Sequence, residues 1–253
     1  APVILSTTAF CHVMRDAPES GADMILSQAW DQDTISGFHG GRPSPDALPV
    51  DADAASVTFP TQRAPDGALA ADASHAAVGT TGHAVLEALD LHAPPGPQIE
   101  ALCNTWELSI DQRQELSGQL CRAAADQATF WSALAAARAV HREMPFAARF
   151  DHRGQTVELN GTIDLVYEDA DGWHLVDYKF TRTATAARLR AAYALQLAIY
   201  RDALQRLGIH PVDTRLLVIA PTASSFVELD DALLKEALHS GGIAPEGLQF
   251  SPA

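Results

Sequence analysis

Two aspartates and a lysine form a group that could do chemistry: Asp164, and Asp177 with Lys179 in the tripeptide Asp-Tyr-Lys. A four-residue turn at 169–172 would place Asp164 opposite Asp177 on neighbouring antiparallel strands. Opposed side chains have Cβ atoms about 5 Å apart, where two carboxylates repel. Lys179 lies on the same face as Asp177 and offsets part of that repulsion. A divalent cation would offset the rest, because carboxylates, the Tyr178 carbonyl and water are ligands that Mg²⁺ or Mn²⁺ prefers.

An Asp-x-Lys tripeptide is short enough to occur often by chance. Taken alone, it favours an ordinary surface hairpin with an Asp–Lys ion pair. Its setting favours chemistry, because the apolar pair Leu175-Val176 directly precedes the tripeptide and Asp164 lies on the adjacent predicted strand. The metal site is therefore a hypothesis that other parts of the sequence must support.

A glutamine and a tyrosine lie one helical turn apart in a predicted helix over 186–207. They belong to a stripe on one helix face that is otherwise mostly apolar: Leu189, Tyr193, Gln196, Tyr200, Leu204 and Leu207. A buried amide needs a hydrogen-bond partner. For Gln196 that partner is either nearby backbone or, in the functional interpretation, the Asp177 hairpin or a substrate phosphate.

Three more polar residues are candidates: His83, Glu87 and Glu143. His83 begins a helical segment with Glu87 one turn later, a spacing that suits a metal ligand and a carboxylate that orients it. The alternative for His83 is a capping or core histidine. Glu143 directly precedes the first predicted strand, where a solvated carboxylate at a helix end is the favoured interpretation.

The pattern of apolar residues predicts the elements that must position these side chains. Helical periods cover 82–91, 111–142, 186–207 and 230–239, and strand-like segments cover 144–151, 157–165, 173–180, 215–220 and 226–229. The Pro94-Pro95 pair is expected to close the first of these helices, and Gly208 stands where the helix over 186–207 should end. We therefore expect an α/β fold whose core has the order helix, three-stranded antiparallel meander, helix, strand, with added helices.

The composition bounds the class of protein. With 47% hydrophobic residues the chain of 253 can build a core, and no apolar run is long enough to span a membrane. The segment 31–74 is rich in Ala, Asp, Pro, Gly and Ser, so we expect 1–77 to be a poorly defined linker or extension and 78–253 to be the functional domain. Three unpaired cysteines favour a reducing cytoplasm and give no four-thiolate iron–sulfur site.

Together the motifs resemble the RecB/AddAB-type branch of the PD-(D/E)XK nucleases. The motifs that carry the resemblance are Gly79-x-x-Gly82-His83-x-x-Leu86-Glu87, Glu143-Met144-Pro145-Phe146, Gly161-Thr162-Ile163-Asp164-Leu165-Val166, Asp177-Tyr178-Lys179 and Gln196-x3-Tyr200. They run in the family's order over about 78–221. The set is specific, whereas each member alone is not.

The resemblance implies a restriction-endonuclease-like core and a Mg²⁺- or Mn²⁺-dependent DNA nuclease, expected here to be an exonuclease on single-stranded DNA. Such domains act in DNA repair and recombination, often fused to a UvrD-like helicase. This chain itself has no G-x-x-x-x-G-K-[ST] nucleotide loop. By resemblance, His83, Asp164, Asp177 and the Tyr178 carbonyl are metal ligands and Lys179 is the catalytic lysine. Gln196 and Tyr200 position the substrate or the site.

The net charge of -15 argues against a standalone DNA-binding protein, because an acidic surface repels a polyanion. A motor that feeds single-stranded DNA to the site, with local contacts from Arg182, Arg188 and Arg190, would remove this conflict. A solvated helix start is an equally good interpretation of those arginines. Two further alternatives stay open: a catalytically silent DNA-guiding or structural module of a helicase–nuclease complex, and a metal-dependent hydrolase of small phosphoesters.

Overall fold

The computed structural model of the chain describes residues 3–6, 78–152, 155–182, 184–243 and 249–251. The helices are α1 (residues 78–88), α2 (Pro95–Cys103), α3 (Ile110–Asp126), α4 (Ala128–Ala136), α5 (Ala186–Arg206) and α6 (Asp231–Ser240). The strands are β1 (Val3–Ser6), β2 (Ala139–His152), β3 (Gln155–Glu168), β4 (Trp173–Phe180), β5 (Pro211–Ile219), β6 (Ser224–Glu228) and β7 (Gln249–Ser251). The linker predicted over 31–74 lies outside the described residues. No described helix is both long and apolar enough to cross a membrane.

The chain forms two compact units. The first contains Ala1–Gln62, Pro145–Gly161 and Leu238–Ala253. Within it, β1 pairs in parallel with β3, and β2 pairs antiparallel with β7 through Ala147–Arg149. The second unit contains Arg63–Met144 and Thr162–Ala237, and all of the predicted site residues belong to it.

The sheet of the second unit has β4 near its centre. Its strand order is β6-β5-β4-β3-β2, with β3 antiparallel and β5 parallel to β4. Five consecutive β4 residues, His174–Tyr178, are buried. A parallel pair needs a crossover, and α5 supplies it between β4 and β5. The α/β class with added helices is therefore confirmed.

The crossover helix α5 is fixed at both ends. The Thr185 side chain caps its first turn by accepting a hydrogen bond from the Arg188 backbone N–H. At the other end Gly208 has a φ of 81°. The Gly208 and Ile209 N–H groups donate to the carbonyls of Gln205 and Leu204 at 3.0 and 2.9 Å, which is a Schellman motif. The predicted end at Gly208 is therefore correct.

The segment predicted as helical over 111–142 is mostly helical, but it is not continuous and it ends earlier than predicted. The structure has α3 and α4, separated at Gln127, and β2 already begins at Ala139 rather than at Met144. An alanine-rich composition permits a helix but does not enforce one. The Arg138 N–H donates to the Glu168 carbonyl at 2.7 Å, so pairing with the end of β3 determines the conformation here.

Apolar periodicity did not predict the short helix α2. Pro94 and Pro95 mark the end of the preceding helix in the sequence, and the second of them is the first residue of α2. Proline is well tolerated there because the first helical N–H groups have no partner within the helix. The prolines therefore begin α2, whereas α1 already ends at residue 88.

Helix α1 brings His83 to the sheet because its apolar side chains are buried. Val85 and Leu86, with Leu89 directly after the helix, belong to the core cluster that also contains Val176 of β4. On this helix a Cβ at Gly82 would lie 2.2 Å from Cζ of Phe180. Glycine at this position thus allows the close approach of α1 to the end of β4.

We predict that Gly82→Ala destabilises the protein by about 1 kcal/mol. Helix propensity alone would stabilise the variant by up to about 1 kcal/mol, but displacing the Phe180 ring costs about 1–3 kcal/mol. Urea unfolding measures the difference. The matched control is Gly118→Ala, a helical position with no atom within 4 Å of the added methyl, which should gain stability. Equal gains in both variants would contradict the close-packing argument.

Candidate metal and catalytic site

Three potential metal ligands from three elements meet in the second unit. His83 of α1, Glu143 of β2 and Asp164 of β3 place one ligand atom each within 4.8 Å of one another. His83 Nδ1 is 3.4 Å from Asp164 Oδ2 and 3.9 Å from Glu143 Oε1. An imidazole with two carboxylates is a donor set that a hard or borderline divalent cation accepts.

The β3–β4 hairpin has the predicted register. Glu168 pairs with Trp173 and Leu165 with Val176, so the next positions in the same register are Asp164 and Asp177. Asp164 is buried, and its Oδ2 accepts a hydrogen bond from the Tyr178 backbone N–H at 2.7 Å. The tripeptide thus contributes a backbone donor to the first aspartate as well as a carboxylate of its own.

Asp177 is almost completely buried, with 1% of its surface exposed. Its Oδ2 forms an ion pair with Lys179 Nζ at 2.5 Å. Its Oδ1 accepts a hydrogen bond from Gln196 Nε2 at 3.3 Å. The Gln196 amide also donates to the Tyr200 hydroxyl at 2.8 Å, so α5 contacts the Asp-x-Lys tripeptide directly.

The two aspartates are compensated by different groups. His83 and the Tyr178 N–H face Asp164, whereas Lys179 and Gln196 face Asp177. From the sequence, the crowding of these carboxylates is expected to require a cation in addition to Lys179. The protein's own donors reduce that requirement, because each carboxylate has its own partners.

Burial and charge act in opposite directions on the ionisable groups of the site. Burial lowers the pKa of His83, but the contacts with Asp164 and Glu143 outweigh it and raise that pKa from 6.5 to about 10. Burial raises the pKa of Asp177 above its ordinary value although Lys179 opposes the shift. Burial lowers the pKa of Lys179, but Asp177 and Asp164 outweigh it and raise that pKa above its ordinary value.

The backbone at Glu143 is strained. Its φ is 47°, the only positive value at a non-glycine residue among the described residues. This left-handed conformation costs an L-residue about 1–2 kcal/mol and often accompanies function. Sequence reasoning favoured a solvated helix end for Glu143, and the structure instead places it within β2 beside His83.

Other candidates differ from expectation in detail. Glu87 is exposed, and the His83 ion pairs of the described residues are with Asp164 and Glu143, so these are the carboxylates that face the imidazole. The Tyr178 ring lies edge-on to His83, with a centroid distance of 5.9 Å. Tyr193, which the sequence marked only as a member of the α5 stripe, lies under the Lys179 ammonium.

The residues fit a divalent cation by the chemistry of their ligand atoms. The cluster provides one nitrogen and two carboxylate ligands, and a third carboxylate, Asp177, lies at the next position in the register from Asp164. Asp177 Oδ2 is buried and lies against the Lys179 ammonium, so this oxygen already has one cationic partner.

Comparison with known proteins connects this chain to a family. The sequence profile of the PD-(D/E)XK nuclease superfamily matches residues 60–248. The chain is 39% identical over 70 residues to an ATP-dependent helicase/nuclease subunit from Anoxybacillus flavithermus, a match that covers 26% of this chain and 6% of that protein. The corresponding helicase/nuclease subunit from Geobacillus kaustophilus is 31% identical over 160 residues, covering 53% of this chain and 13% of that protein.

A solved structure is also similar. The crystal structure of a proposed exonuclease from Eubacterium rectale matches with a TM-score of 0.40 and 15% identity, covering 55% of this chain and 52% of that chain. The chain spans between 6% and 14% of the length of the helicase/nuclease subunits that it matches.

The second unit combines an α/β core with a carboxylate cluster and an Asp-x-Lys tripeptide. The chain belongs to the PD-(D/E)XK nuclease superfamily, whose profile covers most of its length. Members of this superfamily generally use divalent metal ions. The resemblance seen in the sequence motifs is therefore confirmed.

We predict that His83 makes the metal-free protein less stable as the pH rises. A folded-state pKa of about 10 against an ordinary 6.5 means that protonated His83 stabilises the fold fully below pH 6.5. This contribution disappears as the pH rises to about 10. Urea unfolding in EDTA should show the stability difference between the parent and His83→Gln shrinking over that range. A constant difference from pH 6 to 10 would contradict this assignment.

We predict an inverted order of stability at position 143. In an ordinary strand Ala is more stable than Gly by about 0.5–1 kcal/mol, but at a φ of 47° glycine is free of the strain. Glu143→Gly should therefore be more stable than Glu143→Ala in thermal unfolding with EDTA. Both variants lack the carboxylate, so the comparison isolates the backbone. The ordinary order, with Ala the more stable, would refute the strain.

Proposed function

We propose that this chain is a divalent-metal-dependent nuclease that hydrolyses phosphodiester bonds in DNA. The observation that carries the proposal is the ion pair of Lys179 with buried Asp177, on the strand next to a cluster of His83, Glu143 and Asp164. Membership of a nuclease superfamily supports it. A structural domain without chemistry would have little use for a buried Asp–Lys pair, because desolvation offsets most of what such a pair gains.

His83, Glu143, Asp164 and Asp177, with the Tyr178 carbonyl, are the proposed ligands of Mg²⁺ or Mn²⁺. The bound ion would polarise a phosphate oxygen and lower the pKa of a coordinated water. The glutamate joins the set on the strength of its contact with His83, which the sequence alone did not suggest.

The protein's own groups are proposed to do the remaining work. The Lys179 ammonium, with its side chain 16% exposed, lies where it can donate to a phosphate oxygen or to the attacking water and stabilise negative charge as it develops. Gln196 and Tyr200 form a hydrogen-bonded pair behind Asp177 and fix the orientation of its carboxylate. This assigns them a positioning role rather than direct contact with phosphate.

The proposed substrate is single-stranded DNA, degraded as an exonuclease and delivered by a helicase in repair or recombination. The support is that the matched relatives are named as helicase/nuclease subunits of much greater length. A motor that delivers the strand would also make a basic surface unnecessary. This is important because the net charge of -15 repels DNA at long range.

Two of the three arginines after β4 already have partners within the protein. Arg182 pairs with Glu115, and the Arg190 Nε donates to the Glu228 carbonyl at 2.9 Å. Arg188 is exposed and makes no side-chain contact with a described residue. Of the three, Arg188 is the best candidate for a phosphate contact.

The test is a cleavage assay with the full chain, using end-labelled single-stranded DNA, duplex DNA and p-nitrophenyl phosphate. Each substrate is incubated with Mg²⁺, Mn²⁺ or EDTA. We expect metal-dependent degradation of single-stranded DNA, and a loss of about 10²–10³-fold in kcat for Asp177→Asn and Lys179→Met. The matched control is Glu107→Gln, which removes an exposed carboxylate that has no contact with the site.

The other outcomes separate the alternatives. If folded, metal-binding protein cleaves none of the substrates, the chain is a DNA-guiding or structural module. Turnover of p-nitrophenyl phosphate without DNA cleavage would identify a small-phosphoester hydrolase, which the acidic net charge favours. Equal activity in the parent and in Lys179→Met would remove the lysine from the mechanism.

A further inference from the structure

The Lys179 side chain has two neighbours that differ in kind. Its Nζ lies 2.5 Å from Asp177 Oδ2 and 4.7 Å from the centroid of the Tyr193 ring. A lysine has four flexible side-chain torsions, so an ammonium that must act at one point needs more than one contact to hold it. The ring of Tyr193 is the second contact.

A ring face and a carboxylate hold a cation differently. The carboxylate neutralises the ammonium, whereas the ring quadrupole attracts it and leaves its charge and N–H donors available to other acceptors. If Asp177 also binds a metal ion, as in the proposed function on which this inference rests, its attraction for Lys179 is shared with that ion. The ring does not compete for the metal and continues to hold the lysine.

The position of Tyr193 on α5 makes this contact part of a common support. Tyr193, Gln196 and Tyr200 follow the spacing i, i+3, i+7 and share one helix face. Gln196 contacts Asp177 and Tyr193 contacts Lys179, so one face of one helix holds both charged side chains of the tripeptide.

We infer that Tyr193 is a positioning residue that holds the Lys179 ammonium against the face of its ring. The hydroxyl of Tyr193 makes no hydrogen bond with a described residue, so the face of the ring accounts for the contact. Removing the hydroxyl should therefore be harmless, whereas weakening the ring's negative face should not.

The test replaces Tyr193 in the full chain with phenylalanine and with mono-, di- and trifluorophenylalanine. Fluorination weakens the attraction of the ring for a cation stepwise and barely changes its shape. We expect Tyr193→Phe to retain the parent kcat within about twofold, and kcat on single-stranded DNA with Mn²⁺ to fall stepwise through the fluorinated series to about 2- to 30-fold below it. KM should stay constant. The same fluorination at Phe130, a ring packed against other rings, is the control.

A second readout needs neither metal nor activity. In EDTA, Tyr193→Leu should lower the urea midpoint more in the parent than in a Lys179→Met background, because the ring has no cation to hold in the latter. A flat kcat across the fluorinated series would overturn the inference. A Tyr193→Phe variant as slow as Tyr193→Leu would do so as well, since the hydroxyl would then be the acting group. If the parent cleaves no DNA, the proposed function fails and the comparison in EDTA alone decides the role of Tyr193.

Discussion

Burial of the Asp177 carboxylate is the constraint to which the rest of the site responds. A carboxylate with 1% exposure needs compensating charge or hydrogen bonds, and here it has one of each, from Lys179 and Gln196. These partners come from different elements, so both the strand and the crossover helix must be in place before the charge is tolerated. The geometry of the site and the stability of the unit are therefore linked through one buried group.

A small number of contacts between strands and helices places the partners of Asp177 around it. Side chains on β4 alternate, which places Asp177 and Lys179 on one face. The antiparallel neighbour β3 presents Asp164 to the Tyr178 N–H, and the parallel neighbour β5 requires a crossover that becomes α5. Helix α1 completes the arrangement because Gly82 allows it to approach Phe180 closely. Each site residue is thus positioned by an interaction that also builds the core.

Much of this could be predicted from the sequence, and the exceptions have physical causes. The period of two and the four-residue turn predicted the hairpin register, and the 3.6-residue stripe predicted α5 with Gln196 directed inward. Glu143 was undervalued because a left-handed backbone within a strand leaves no mark on apolar periodicity. Tyr193 was indistinguishable from its apolar neighbours, because a cation–π contact depends on which strand packs beneath it. Residues 139–142 were misassigned to a helix because strand pairing, not local propensity, determines their conformation.

The capped ends of α5 restrict the motion of this helix. A helix held by a side-chain cap at Thr185 and a Schellman motif at Gly208 frays little, so the face carrying Gln196 and Tyr200 acts as a fixed template. In the proposed nuclease, adjustment to an incoming strand would then fall on torsions of long side chains rather than on the backbone. Adaptation on this side of the site would therefore be local and would need no domain motion.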